Sequence, residues 1–506
     1  MKTARLKVGK DFQISAIDER IYGSFVEHMG RVVYTGIFEP GHEQADENGF
    51  RRDVMELVKK LNLSVIRYPG GNFTSGYNWE DTVGPVEERK TRLELAWRQI
   101  EPNTFGLNEF FEWCKQVGAD PIMTVNLGTR GIKAACNILE YCNFEGGTYW
   151  SDLRKQHGYT SSHHVKTWCL GNELDGHWQI ASKTAEEYGR LANETAKAMK
   201  LIDPTIETVA VGSSTPRLSS YPEWDREVLM QSYENVDYLS LHNYINRSQD
   251  EDLAVYKKRE PDDTPTYLSR SLAFDRQIKE VIATCDYVKA VKRSDKTMYL
   301  SFDEWNVHRY PEQDYEEWKT GSPIDWCHFT MEDTLLFGGM LLSILRHADR
   351  IKISCQSLLV NTIPLILTDA GGKAWVNPTY YPMLHASQFG RGILMDSKLS
   401  CDQYSNSLFN EIPTVDHVVV KNKEDITIFA INRTEESILL ESDLYGFKME
   451  QVIEHIILSS QDLDDCNASD CPDKVSPKRI KNSLLEDGIV KSELPAYSWN
   501  VIRIKI

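Results

Sequence analysis

The sequence lacks a long apolar run, an excess of positive charge and any internal repeat. No stretch is long and apolar enough to span a lipid bilayer. The first residues, Met1–Val8, alternate in polarity and never reach the apolar run that a signal peptide needs, which predicts a cytoplasmic protein. The 506 residues carry a formal net charge of -18, so the surface should repel phosphate backbones and anionic lipids. Nucleic acid and membranes are therefore not expected as partners.

The cysteines form no regular pairs. All ten are scattered along the chain, and Cys169 and Cys355 lie inside apparent buried strands, which is typical of reduced core thiols. Cys466 and Cys471 lie close together in an acidic loop, but neither a second pair nor a nearby histidine accompanies them. We therefore interpret them as free thiols rather than as a disulfide or half of a metal site.

The sequence does contain a repeated alternation of strands and helices. Eight short β-rich apolar runs end in polar or glycine-rich residues: Ile21–Phe25, Ser64–Tyr68, Pro121–Asn126, Val165–Leu170, Thr208–Val211, Tyr238–His242, Met298–Phe302 and Ile351–Cys355. Segments of helical periodicity separate them, including Arg51–Leu61, Leu107–Val117, Thr184–Leu201, Leu272–Val291 and Met331–His347. Eight successive strand–helix units predict an α/β fold, the closed parallel (β/α)8 TIM barrel.

Near His385 the alternation stops, and the remaining sequence is β-type. Four segments alternate apolar and polar residues between turn-forming residues: Asp416–Lys421, Asp425–Asn432, Ser437–Glu441 and Ser498–Ile506. They predict a C-terminal antiparallel β-sandwich, into which the early segment Ala4–Val8 is expected to pair. The predicted domains are a catalytic barrel over residues 18–385 and a sandwich over residues 1–17 and 386–506.

Polar side chains accumulate at the carboxyl ends of the predicted barrel strands, where barrels of this type hold their active sites. Glu173 follows strand four and Glu304 follows strand seven. A lone strand-end glutamate has about even odds of being a surface residue or a helix cap. Two of them on one ring meet the need of glycosidic-bond hydrolysis, in which one carboxyl protonates the departing oxygen and another attacks or stabilises the anomeric carbon.

Other strand ends supply partners for these two carboxyl groups. Arg67 and Tyr244, at the ends of strands two and six, are placed to donate hydrogen bonds to Glu304 and to keep a nucleophile ionised. Asn172 precedes Glu173 and carries an amide that can hold a sugar hydroxyl. The residues alone therefore favour a two-carboxylate glycosidase.

Three of these strand ends resemble the motifs of glycoside hydrolase family 51, namely Arg67–Phe73, Trp168–Gly176 and Leu300–Val307. The resemblance covers almost the whole chain and includes Phe25–Arg31, Gly49–Asp53, Gly76–Asp81 and Leu494–Trp499. It implies a retaining α-L-arabinofuranosidase that needs no cofactor and releases terminal α-L-arabinofuranosyl residues from arabinan or arabinoxylan oligosaccharides. It also implies a barrel with a β-sandwich and a homo-oligomer, commonly a hexamer.

The resemblance assigns roles to single residues. Glu173 would be the acid/base and Glu304 the nucleophile. Glu27, Asn72 and Asn172 would bind arabinose hydroxyls, and Arg67, His242 and Tyr244 would orient the catalytic carboxylates. Trp97 is a further candidate for substrate binding. Many members of the family carry a glutamine where Leu358 stands. Gln356 would point the same way in a strand and could replace it.

Several alternatives remain open from the sequence. Trp97, Trp178 and Trp305 can stack on sugar faces or pack in the core. The nearest rival function is a β-xylosidase or endoglucanase of the same architecture. A binding protein that has lost its chemistry would not need both glutamates. A metal-dependent lyase would need metal ligands at close spacing, which the scattered histidines do not provide.

Overall fold

Eight parallel strands form a closed barrel in the computed structural model of this chain. The structure describes residues 2–248, 262–309, 311–312 and 314–506. The strands up to the end of the barrel are β1 (Lys2–Ala16), β2 (Gly23–Phe25), β3 (Val65–Tyr68), β4 (Arg92–Glu94), β5 (Gln99–Glu101), β6 (Asp120–Thr124), β7 (Thr167–Cys169), β8 (Glu207–Ala210), β9 (Tyr238–Ile245), β10 (Tyr299–Val307) and β11 (Ile351–Gln356). Around the ring the order is β2, β3, β6, β7, β8, β9, β10 and β11. The eight predicted strands are confirmed, although β9 and β10 extend beyond their predicted ends.

Helices follow the barrel strands and pack against one another around the ring. They are α1 (Arg52–Leu61), α2 (Leu107–Val117), α3 (Ile132–Asn143), α4 (Tyr149–Gln156), α5 (Ala185–Ile202), α6 (Glu223–Ser232), α7 (Thr264–Lys292), α8 (Met331–Arg346) and α9 (Tyr380–Phe389). The five predicted helices are confirmed. Helix α7 begins earlier than periodicity indicated, because Asp263 caps it by accepting a hydrogen bond from the amide of Thr266. In the described ranges, no helix has the length and apolar character that a membrane crossing requires.

One predicted loop is only partly described. The polar segment 247–265 follows barrel strand six, and its hydrophilic composition predicts a solvated loop at the rim of the catalytic face. Residues 249–261 of this segment lie outside the described residues.

The C-terminal part of the chain is rich in β-strands. These are β12 (Ile366–Thr368), β13 (Ala374–Val376), β14 (Ile393–Ser400), β15 (Gln403–Tyr404), β16 (Ile412–Pro413), β17 (Val415–Lys421), β18 (Asp425–Asn432), β19 (Ile438–Tyr445), β20 (Gln451–Leu458), β21 (Lys478–Ile480), β22 (Ser483–Glu486), β23 (Ile489–Leu494) and β24 (Ser498–Lys505). Ten strands form one sheet in the order β21, β20, β24, β18, β17, β14, β1, β19, β23, β22. The neighbours pair antiparallel except β1 and β19, which are parallel.

The sheet curls so that its two ends meet. His455 of β20 contacts Asn482 and Ser483 at the start of β22, each at 2.9 Å. The sheet encloses a second hydrophobic core that contains Leu6 and Ile428. The predicted antiparallel β-rich C-terminal domain is therefore confirmed, and Ala4–Val8 lies within β1 of its sheet. The division at residues 17/18 and 385/386 stays a prediction.

The core cysteines are inert for a physical reason. All ten are free thiols, and six of them are buried. Cys169 lies in β7 and Cys355 in β11, and burial raises the pKa of both thiols, that of Cys169 to about 12. Both therefore stay protonated at neutral pH and unreactive.

Helix α8 joins the barrel to the curled sheet and is buried along nearly its whole length. At Gly338 a Cβ atom would lie 2.8 Å from the ring of Trp499 in β24, so only glycine permits this close approach. At the end of the helix, Arg346 donates to Asp416 of β17 at 2.5 Å, and Arg433 donates to the same carboxylate. This cluster of three charges, in which Arg433 and Asp416 are buried and Arg346 is partly exposed, holds the helix against the sheet.

We expect Asp416→Asn to lower the free energy of unfolding by about 3 kcal/mol, because the neutral amide leaves two arginines with less compensating charge. Burial acts to raise the pKa of Asp416, but Arg433 and Arg346 outweigh it and hold the pKa below its ordinary value. The stabilisation is thus present at neutral pH and is lost as the pH falls through that lowered pKa. Guanidinium denaturation at pH 7 measures the effect.

The control is Asp396→Asn, which breaks the exposed pair with Lys398 and should change stability by about 0–1 kcal/mol. Equal losses in the two variants would contradict the role given to Asp416.

Candidate active site

The carboxyl ends of the barrel strands open into a cavity of about 410 Å³. Six of the nine predicted site residues line it: Glu27, Asn72, Trp97, Glu173, Tyr244 and Glu304. The other three, Arg67, Asn172 and His242, lie directly behind these side chains and contact them. The fold therefore brings all nine together.

Glu304 lies on β10 with both carboxylate oxygens held by donors from other strands. Arg67 of β3, only 1% exposed, donates from Nη1 to Oε1 at 2.7 Å. Tyr244 of β9 donates its hydroxyl to Oε2 at 2.8 Å. A guanidinium and a phenol that aim one carboxylate into a cavity provide what an anionic nucleophile needs.

Glu173 follows β7 in a sharp turn, with a φ of 45°. Its Oε1 is 3.0 Å from Nδ1 of His242, and its Oε2 accepts the indole N–H of Trp178 at 2.6 Å. One carboxylate oxygen of Glu173 and one of Glu304 lie within 4.8 Å of each other. This short distance resembles the ~5–5.5 Å separation of retaining glycosidases and not the ~6.5–9.5 Å of inverting ones.

His242 lies at the centre of the buried carboxylates. Its Nδ1 is 3.0 Å from Glu173 and 3.6 Å from Glu304, and its Nε2 is 3.1 Å from Asp303. Burial alone would lower the pKa of the imidazole, but Glu304, Asp303 and Glu173 outweigh it and raise the pKa to about 10. His242 is therefore a cation that donates from both ring nitrogens.

Asp303 is a site residue that the sequence did not single out. Its carboxylate accepts from His242 and, at 2.6 Å, from the hydroxyl of Ser240. Burial acts to raise its pKa, but Arg67 and His242 hold it below the ordinary value. Strand alternation would point Asp303 away from its neighbour Glu304. A register shift between Ser301 and Glu304 lets both carboxylates reach the site.

The buried carboxylates around His242 are also potential metal ligands. In the described part of the chain, only one group of three potential ligands has its atoms close enough together to hold a metal ion, namely Glu173, His242 and Glu304. A metal would need an unprotonated imidazole nitrogen. Both nitrogens of His242 are engaged with carboxylates, and its raised pKa keeps them protonated. The cluster fits proton transfer better than metal binding.

Glu27, at the end of β2, lies against the glycines that follow β3. A Cβ atom at Gly71 would be 2.4 Å from Oε2 of Glu27, which explains the need for glycine there. Burial and the charge of Glu304 raise the pKa of Glu27 to about 8, despite hydrogen bonds from the Phe73 amide and the Trp97 indole. At neutral pH Glu27 is a carboxylic acid that can donate to a sugar hydroxyl.

The two asparagines form a chain that begins at Arg67. Nη2 of Arg67 donates to Oδ1 of Asn172 at 2.8 Å, and Nδ2 of Asn172 donates to Oδ1 of Asn72 at 3.2 Å. Each amide is thereby held in one orientation. Asn72 lines the cavity and can present its amide to a sugar hydroxyl.

The three tryptophans have different roles. Trp97 and Trp178 line the cavity and donate their indole N–H groups to Glu27 and Glu173. Trp305 is fully buried and donates to the Ser354 hydroxyl, so it is a packing residue. Sequence reasoning offered stacking or packing for each and missed the hydrogen bonds.

The expectation that Gln356 could replace the family glutamine is wrong. Strand β11 ends at Gln356, so alternation does not continue to Leu358. The Gln356 side chain is fully buried between the Ser24 hydroxyl and the Leu358 carbonyl, whereas Leu358 lines the cavity. At this position an apolar side chain therefore lines the cavity.

Comparisons with known proteins agree with this geometry. Residues 57–261 match the family described as "Alpha-L-arabinofuranosidase 1 domain", and residues 303–498 match the "Alpha-L-arabinofuranosidase C-terminal domain". The chain is 49% identical to the intracellular exo-α-(1→5)-L-arabinofuranosidase of Acetivibrio thermocellus, with 100% of both chains covered. It is 50% identical to intracellular exo-α-(1→5)-L-arabinofuranosidase 1 of Bacillus subtilis, covering 100% of this chain and 99% of the relative. The solved structure of a family 51 α-L-arabinofuranosidase from Bifidobacterium longum superposes with a TM-score of 0.93 at 34% identity over 99% of both chains.

The charge of His242 makes a testable contribution to stability. Its folded pKa is raised from 6.5 to about 10, so the contribution is fully present below about pH 6.5 and is lost as the pH rises through about 10. The difference in unfolding free energy between the parent and His242→Gln should therefore shrink by a few kcal/mol over that range. Guanidinium denaturation at a series of pH values measures it.

His163→Gln is the control, because burial lowers the pKa of His163 to about 4 and its imidazole stays neutral throughout. If the His242→Gln difference is as flat as this control, the imidazolium assignment is wrong.

Proposed function

The chain belongs to the α-L-arabinofuranosidases of glycoside hydrolase family 51, a family of retaining enzymes, and we propose that Glu304 is its nucleophile and Glu173 its acid/base. The observation that carries the assignment is the approach of the two carboxylates to within 4.8 Å inside the cavity. A retaining mechanism needs such a distance, because no water molecule stands between nucleophile and sugar in the first step.

In the first step, a Glu304 oxygen bonds to the anomeric carbon while the glycosidic C–O bond breaks, and Glu173 gives its proton to the leaving oxygen. In the second step, Glu173 takes a proton from water, the water oxygen bonds to the anomeric carbon, and the ester bond to Glu304 breaks. Two inversions give net retention. Arg67 and Tyr244 hold Glu304 in line for both steps.

The surrounding charges favour this division of roles. Before reaction, the anions Glu304 and Asp303 face the cations Arg67 and His242, while Glu173 carries the proton. After the first step, Glu304 is a neutral ester and Glu173 is the anion, so the buried cluster again contains two anions and two cations. The negative charge moves only between two carboxylates that both contact His242, which limits the reorganisation needed in a low-dielectric site.

The remaining cavity residues are proposed to bind the sugar. Glu27, as a neutral acid, and the amide of Asn72 would hold its hydroxyls, and Trp97 would cover one side of it. Asn172, predicted to bind a hydroxyl as well, lies behind Asn72 and would orient its amide. We propose as substrate the terminal non-reducing α-L-arabinofuranosyl residues of arabinan or arabinoxylan oligosaccharides. The names of the relatives, exo-α-(1→5)-L-arabinofuranosidases, support this choice.

The location and the rival activities follow the same comparisons. We propose a cytoplasmic enzyme, as the relatives named intracellular suggest. The rivals, β-xylosidase and endoglucanase, are not favoured by any of these names. Assay on a panel of nitrophenyl glycosides, in which the α-L-arabinofuranoside should be the best substrate, separates the three.

For the quaternary structure we propose a homo-oligomer, a hexamer as the family resemblance implies. We expect light scattering at micromolar concentration to give six times the mass of one chain. A stable monomer that is fully active would exclude it.

We expect Glu304→Ala to lose roughly 10⁴-fold or more in turnover on every substrate, because the covalent intermediate cannot form. Glu173→Ala should retain activity on dinitrophenyl arabinofuranosides, whose leaving group needs no proton, while losing it on oligosaccharides. Azide, a nucleophile that needs no general base, should speed the second step in Glu173→Ala alone. Initial-rate kinetics on the two substrate classes measures each effect.

Glu186→Ala, on the exposed first turn of α5, is the matched control and should behave as the parent. Proton NMR should show the retained anomer as first product. The assignment fails if both active-site variants lose activity equally on activated and natural substrates, or if the inverted anomer forms first.

A further inference from the structure

Trp97 lies in the turn of a hairpin at the mouth of the cavity. Strands β4 and β5 pair antiparallel, with Glu94 opposite Gln99, and residues 95–98 form the turn between them. Leu95 is 57% exposed, whereas Trp97 lines the cavity and donates its indole N–H to Oε1 of Glu27 at 3.0 Å. The conformation of this short turn therefore decides whether the indole reaches Glu27.

The Glu94 carboxylate lies inside the turn. Its Oε1 accepts the amide N–H of Ala96 and its Oε2 accepts that of Trp97, each at 2.7 Å, and the residue is only 6% exposed. One side chain thus satisfies two consecutive amides, including that of the residue whose indole enters the site. Burial raises the pKa of Glu94 to about 7 in spite of these two hydrogen bonds.

Other contacts of the hairpin involve backbone carbonyls and a side chain rather than the amides of Ala96 and Trp97. The Arg98 carbonyl accepts from the Trp318 amide, and the Arg98 guanidinium pairs with Glu317 at the exposed surface. At the base of the hairpin, Thr320 donates to the Ile100 carbonyl. None of these contacts, among the described residues, involves the amides of Ala96 and Trp97, which donate to Glu94.

We propose that Glu94 is a positioning residue for substrate binding, whose carboxylate holds the turn in the conformation that places Trp97 against Glu27. Its action passes through Trp97, and Glu94 itself touches no substrate. The inference rests on the proposed function in one respect, which is that Glu27 and Trp97 bind the sugar.

A double-mutant cycle tests the proposal on 4-nitrophenyl α-L-arabinofuranoside. Each amide uses a different carboxylate oxygen, and Glu94→Gln replaces one of the two oxygens by an NH₂ group that cannot accept, so one of the two hydrogen bonds is lost in this geometry. We expect kcat/KM to fall about tenfold, mainly through KM, because the indole and Glu27 lose their fixed placement. In the Trp97→Phe background, where the indole N–H is already absent, the same substitution should change kcat/KM by less than about twofold.

The matched control is Glu317→Gln, the same substitution on the exposed side of the hairpin, which should stay within about twofold of its parent in both backgrounds. Equal losses from Glu94→Gln in the two backgrounds would overturn the proposal, and so would the absence of any loss. If Glu94→Gln does not fold, Glu94→Asp, which keeps the charge but withdraws it from the turn, goes through the same cycle. Failure of the catalytic assignment would appear in the Glu304 and Glu173 variants and not in this cycle.

Discussion

The site depends on two buried cations that hold three carboxylates together. Arg67 contacts Glu304 directly and lies 3.8 Å from Asp303, and His242 contacts Asp303, Glu173 and Glu304. Each of these charges alone would be costly to bury, since desolvation opposes every one of them. Together they nearly cancel, and hydrogen bonds satisfy most of the remaining donors. In the proposed mechanism this balance survives, because the negative charge passes from Glu304, which becomes an ester, to Glu173, which gives its proton to the leaving oxygen.

This balance also links the site to closure of the barrel. Arg67 comes from β3, His242 from β9, Glu173 from the end of β7, and Glu304 from β10. Of these four strands only β9 and β10 are neighbours in the ring, so the four ends converge only when the sheet closes. Helix α8 is the next element after β10 and is buried between the ring and the curled sheet. Its contact with Asp416 fixes the position of β10 relative to the C-terminal domain.

A second layer of residues sets the shape of the cavity without taking part in the chemistry. Gly71 lets Glu27 approach the backbone after β3, and Glu94 supports the turn that carries Trp97. Such residues act through geometry, since a displacement of Glu27 or Trp97 by about an ångström would weaken its proposed contact with the sugar. Leu358 adds an apolar side chain to the lining of the same cavity.

The sequence was enough to predict the barrel and the pair of glutamates, and its resemblance to family 51 supplied most of the other site residues. The strand–helix alternation is a local signal, and the carboxyl ends of parallel strands must meet at one face, so the sequence alone pairs Glu173 with Glu304. The tertiary structure decided the rest. A shift in strand register places Asp303 in the site. Gln356 lies outside the cavity because strand β11 ends at that residue, and Glu94 accepts hydrogen bonds from the turn that carries Trp97. These three placements depend on backbone irregularities and on contacts between distant residues, and neither can be read from the periodicity of the sequence.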